Sequence, residues 1–118
     1  MISTEFGIID DFNERGDYIK YEPERYNCVE IDDSIYINDW QHQLSKIETL
    51  NVYSKGVLQS QKSLSRWGIT IIPPASLPAL LDIVITDRRY NEDPRLTALA
   101  DLIRVAIQSG KYMIHYGV

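Results

Sequence analysis

Short apolar runs and helical spacings alternate along the chain, and they divide it into seven elements. Phe6, Ile8 and Ile9 form an apolar run that the acidic pair Asp10–Asp11 ends, which predicts an edge or near-edge strand over Glu5–Asp10. The polar stretch Asp11–Arg25, with Gly16 and Pro23, reads as a long surface loop. A second strand is expected over Tyr26–Ile31, with Val29 and Ile31 on one face and Tyr26, Cys28 and Glu30 on the other. Asp32 or Asp33 then caps a helix to about Glu48, because Ile37, Trp40, Leu44 and Ile47 recur at spacings of three and four.

Asn51–Arg66 is rich in Ser, Gln and Lys and reads as a loop, with Val57 and Leu58 a weak strand candidate. Trp67–Ile72 gives the clearest strand signal. It is apolar on both faces, which places it centrally, and Pro73–Pro74 stops it. Ser76 is expected to cap a helix over Leu77–Thr86 whose main face is Leu77, Leu80, Leu81 and Val84. Asp93 and Pro94 start a third helix, which Leu96, Leu99, Ile103 and Ile107 carry to Gln108 and Gly110 stops. Lys111–Gly117 is a final strand, with Tyr112, Ile114 and Tyr116 facing one way and Met113 and His115 the other.

The order β-β-α-β-α-α-β predicts an α+β fold: a small mixed or antiparallel sheet of about four strands with three helices on one face. An α/β arrangement is the alternative, since a right-handed crossover within Trp67–Val118 would make its two strands parallel. The 118 residues suit one domain, 1–118, that buries roughly two thirds of its unfolded surface. A single cysteine excludes an internal disulfide and multi-cysteine zinc patterns. No apolar run approaches the roughly 20 residues of a membrane span, and Met1–Asp11 lacks the features of a secretory signal. The expectation is a soluble cytoplasmic protein.

Charge sharpens the picture. Residues 1–40 hold 11 acidic and three basic side chains, a net of −8, whereas residues 41–118 hold six acidic and nine basic, a net of +3. Such an acidic balance disfavours nucleic-acid and anionic-membrane partners and leaves open a basic protein partner or no charged partner. Tyr18, Tyr21 and Tyr26 lie among the carboxylates Asp10, Asp11, Glu14, Asp17, Glu22 and Glu24. Tyrosines supply rigid contact area and carboxylates speed encounter with a basic surface, so these nine residues form the candidate partner-binding set. The competing reading is that the tyrosines fold back over the sheet.

Candidate chemistry is sparse. Asp11, Asn13, Gly16 and Glu22 match positions of a calcium loop, but Arg15 occupies a ligand position and Pro23 disfavours the helical exit. No metal or cofactor is expected. His42 and His115 lack metal spacing, and Cys28 sits within a strand beside Glu30, a setting that suits a buried thiol better than a reactive one. Phosphate-loop, dinucleotide and nucleophile-elbow motifs are absent from the sequence.

The segments Gly68–Leu77 and Lys111–Gly117 resemble parts of small uncharacterised bacterial proteins. Some acidic domains of that kind are immunity partners of secreted toxins. The resemblance brings no catalytic residues; the charge asymmetry and the absence of catalytic motifs point to a non-enzymatic binding protein, an immunity-type inhibitor whose acidic, tyrosine-bearing surface from residues 10–26 occludes a basic site on another protein. Two alternatives stand beside it: a small enzyme using Cys28 or His115, and a homo-oligomer subunit with the last strand, or Tyr112 and Tyr116, at the contact.

Overall fold

The computed structural model describes residues 2–14, 18–52 and 58–117. Its framework is one antiparallel sheet of six strands: β1 (Ser3–Ile9), β2 (Val29–Asp32), β3 (Glu48–Val52), β4 (Leu58–Lys62), β5 (Ile69–Ile72) and β6 (Tyr112–Tyr116), in the order β2-β1-β6-β5-β3-β4. Three helices, α1 (Asn38–Leu44), α2 (Leu77–Thr86) and α3 (Pro94–Ser109), pack on one face. The α+β class and the three helices are as expected, but the sheet has six strands where about four were predicted. The extra strands are β3 and β4, which fill the end of the first predicted helix and the supposed loop 51–66; Val57 itself lies outside the described residues.

The parallel alternative fails for a geometric reason. One helix between two strands returns the chain to its starting end, whereas two helices in succession return it to the opposite end. The α2–α3 pair therefore delivers β6 antiparallel to β5, in the register Ile71↔Ile114. The last strand then inserts between β5 and β1, and the first strand is near-edge, covered on its outer side by β2.

Local signals explain the helix limits. Asp93 accepts the Arg95 amide at 3.0 Å, Pro94 opens α3, and Gly110 closes it at φ +64°, which costs little without a Cβ. Asp32 caps as expected, taking the Ile35 amide at 3.1 Å, but the first turn, Asp33–Ile37, is π-helical and α1 ends at Leu44. Ser76 makes no side-chain cap; its hydroxyl donates to the Glu48 carbonyl, 2.6 Å away, and ties the start of α2 to β3.

Charged side chains lock the helices together. The Trp40 indole donates to Asp87 at 2.8 Å, Arg89 bridges Asp87 (2.7 Å) and Asp39 (2.9 Å), and the Arg89 guanidinium lies 4.6 Å from the centre of the Tyr36 ring. Tyr36 in turn donates to Asp93, the cap of α3, at 2.5 Å. The Arg89 hydrogen bonds hold the Asp87 carboxyl far below the usual carboxylate range.

The sheet is apolar on both sides. On the helix face Phe6, Ile31, Ile72 and Met113 meet Leu80, Leu99 and Ile103. On the opposite face Ile9, Ile71, Ile114 and Tyr116 are covered by Tyr18 and Tyr26, with Phe12 stacked on Tyr112 at 3.8 Å. We call this covering segment, within residues 10–28, the strap. It approaches β1 so closely that a Cβ on Gly7 would lie 2.6 Å from the Tyr26 Cβ and 2.7 Å from the Cys28 sulfur. Gly7→Ala is accordingly expected to lower stability by about 1–3 kcal/mol, the usual range for overpacking, read as a reduced urea midpoint with unchanged slope.

Candidate functional site

Strap residues Lys20–Glu22 are fastened from below by Tyr116, which is buried in the middle of the sheet. The Glu22 amide donates to the Tyr116 hydroxyl at 3.2 Å, and that hydroxyl donates to the Lys20 carbonyl at 3.3 Å. Burial pushes the Tyr116 phenol up to about 12, so it stays a neutral hydrogen-bonding group at any physiological pH. Further along, the Tyr18 hydroxyl accepts the Asn13 amide at 2.9 Å. Asn27, in the left-handed region at φ 53°, closes the turn that leads the strap into β2, and the Cys28 amide there donates to the Pro23 carbonyl at 3.1 Å.

This anchoring divides the nine candidate residues. Tyr18 and Tyr26 are only 5% and 4% exposed, so they cover the sheet and offer nothing to a partner, as the competing reading held. Tyr21 is 63% exposed. Asp10 pairs with Lys111 at 2.6 Å and Glu22 with Arg25 at 3.3 Å. Asp11, Glu14 and Glu24 are exposed and form no ion pair among the described residues; Asp17 lies outside them. The charge split is smaller in space than along the chain, because Arg66, Arg89 and Lys111 from the basic half neutralise Asp33, Asp39 and Asp10 from the acidic half.

The geometry brings in two residues that the sequence reading missed. Glu5 and Glu30 stand directly opposite each other in the β1–β2 ladder, on the strap face. Like charges so placed repel. Neither has a described cationic neighbour, and Tyr21 donates its hydroxyl to Glu5 from the strap above. That hydrogen bond, then burial and the charges of Glu5 and Glu30, raises the Tyr21 phenol to about 12. A shallow groove lined by Tyr21, Glu22, Pro23, Glu24 and Arg25 continues the site along the strap. Glu5 and Glu30 both fall on polar positions of their strands, but their opposition depends on the pairing register of two strands that lie about twenty residues apart in the chain.

The residues proposed for chemistry do not meet. Cys28 is on the strap face, half-buried against Gly7, and burial pushes its thiol up to about 12. His115 is on the helix face, fully buried, with its ring centre 4.7 Å from that of Phe6. The sheet lies between them. Of the calcium-loop positions, Glu22 is held by Arg25 and Gly16 lies outside the described residues; no cluster of metal-ligating groups occurs among those described. His42 is exposed on α1. No described helix is long and apolar enough to cross a membrane.

His115 has a structural role with a pH signature. The Thr4 hydroxyl donates to the Tyr116 carbonyl at 2.9 Å, so its contact with His115 Nε2 requires that nitrogen to carry the proton. Nδ1 has no partner among the described residues, and burial lowers the His115 pKa to about 3 from the ordinary 6.5. Because the folded state resists the second proton, the unfolded state binds more protons below pH 6.5. Stability is therefore full above 6.5 and falls as pH drops toward 3, by up to about 1.4 kcal/mol per pH unit. Urea titrations between pH 7 and 5, above the carboxylate range, should show this slope in the natural chain and a flatter one in His115→Gln.

Comparison of the chain with protein-family models, curated proteins and solved structures finds no match, so the functional reading rests on the geometry of the site itself.

Proposed function

We propose that this protein is a non-enzymatic binding module of the immunity type. It occludes a basic site on another protein with the face formed by Glu5, Tyr21, Glu24 and Glu30. One observation carries the reading: two carboxylates directly opposed across a ladder, without a described cation, beneath an exposed tyrosine. A lysine or arginine from a partner would relieve the repulsion between Glu5 and Glu30 and gain two acceptors at once. Tyr21 adds a large flat contact whose strap backbone is already ordered, so little entropy is lost on binding. The exposed Asp11 and Glu14 extend the negative field and would speed encounter with a basic surface.

The resemblance to immunity proteins lies elsewhere in the molecule. Gly68–Leu77 and Lys111–Gly117 contain β5 and β6, neighbours in the middle of the sheet. That similarity concerns the core, and the partner-facing surface is argued from Glu5, Tyr21, Glu24 and Glu30 alone.

Charge reversal separates binding from folding. Glu30→Lys turns a repulsive cross-strand pair into an attractive one, so the variant should be as stable as the natural chain or more stable by a few tenths of a kcal/mol. Combined with Glu24→Lys, it should abolish salt-sensitive capture of a basic protein from extracts of the source cells. Equal recovery of the same protein by both chains would refute the assignment of this face.

A further inference from the structure

The two edges of the sheet differ in what they offer. The outer strands are β2 and β4. In the β3–β4 ladder the Ser63 amide donates to the Ile47 carbonyl at 2.9 Å, which continues the register Glu48↔Lys62. That bond makes Glu48/Lys62 a pair without mutual hydrogen bonds, and the alternation of an antiparallel ladder gives Leu50/Ser60 and Val52/Leu58 the same character. The amides and carbonyls of Leu58, Ser60 and Lys62 therefore point away from β3 into solvent. The same argument applies to β2, where the Asp33 amide donates to the Ile2 carbonyl at 2.8 Å and the outward positions are Glu30 and Asp32.

The edge of β2 thus carries carboxylates, the usual protection against pairing with a second strand. β4 has no such protection. It has no proline, and its one charge is Lys62 at the end. Gln59, Ser60 and Lys62 are exposed.

The edge of β4 is also self-complementary. We infer that β4 is the contact of a two-fold dimer, in which the strands of two copies pair antiparallel about Ser60 and join both sheets into one. In that register Ser60 faces the Ser60 of the second copy, and Leu58 faces its Lys62. All three outward-pointing residues then exchange hydrogen bonds with their counterparts. On the helix face Gln59 meets Gln61, an amide–amide pair. On the strap face the stem of each Lys62 lies along the opposing Leu58, and within its own chain Lys62 is the ladder partner of Glu48. No like charges oppose each other, and each half-buried Leu58 lies between Val52 of its own chain and the Lys62 stem of the second copy. The partner is thus a second copy of the chain. The contact differs from the last-strand contact expected from the sequence, because β6 is interior.

Sedimentation equilibrium on the full chain tests this. The natural protein should dimerise. Ser60→Pro removes an amide that β3 does not use, so it should give a monomer whose urea midpoint equals that of the natural chain at protein concentrations low enough for both to be monomeric. Two opposite charges at one position test the register. Leu58→Lys, facing Lys62 twice in the dimer, should raise the dissociation constant about tenfold, whereas Leu58→Glu should hold or lower it. A natural chain that stays monomeric at millimolar concentration, a Ser60→Pro variant that still dimerises, or equal effects of the two Leu58 variants would each overturn the proposal.

Discussion

An antiparallel sheet with apolar side chains on both faces must be covered twice, and this chain has helices for only one face. Ile9, Ile71, Ile114 and Tyr116 would otherwise meet water, and the described residues of the strap that covers them form turns and irregular chain, with no helix or strand. An irregular segment over an apolar surface leaves backbone amides and carbonyls without ladder partners, at a cost of one hydrogen bond each. Tyrosine resolves the conflict. Its ring fills the apolar surface and its hydroxyl reaches back to the main chain, as Tyr116 does to Lys20 and Glu22 and Tyr18 does to Asn13. Lysine or leucine at these positions would meet one demand and fail the other.

The cover and the candidate binding face are the same piece of chain. Because Tyr18 and Tyr26 are consumed in covering the sheet, the residues between them are held at fixed height above β1. Tyr21 is thereby brought over Glu5, 16 residues earlier in the sequence. The close contact at Gly7 sets that height, since any side chain there would lift Tyr26 and Cys28. Binding-site geometry and core packing are therefore coupled: a change beneath the strap alters what is presented above it. Asp10 and Glu22 are taken by Lys111 and Arg25, and the exposed remainder sits on an anchored backbone.

Features encoded within a few neighbouring residues were legible in the sequence. The start of α3 at Asp93–Pro94, its stop at Gly110, the Asp32 cap and the alternation in β6 all depend on contacts within one turn or one strand. What escaped depends on distant partners. β3 and β4 have few apolar residues, and their strand character comes from pairing with each other and, for β3, with β5. Trp67 has strand propensity, yet it is 77% exposed in the turn before β5. The Gly117 amide binds the Gly68 carbonyl there, and Arg66 reaches out to the buried Asp33 at 3.0 Å. Asp33 reads as a dipole-favoured residue at a helix start, and its burial follows from Arg66, 33 positions away. The tyrosines of the strap had two readings because a segment without period shows no inward face.

The charge of the chain takes on a different meaning once it is mapped onto the sheet. Acidic residues near the amino end serve three tasks: pairing with cations of the basic half, capping the turn at Asp32, and lining one sheet edge. The last task sets Glu30 on both the proposed binding face and the edge strand β2. A carboxylate there opposes addition of a second acidic copy and favours a basic chain, so one side chain contributes to exclusion and to selection. At the far edge, with four strands between, β4 meets its surroundings with one lysine and uncharged neighbours. The two edges therefore discriminate by opposite means, one by charge and one by backbone complementarity. Their separation across the width of the sheet lets either contact form without blocking the other.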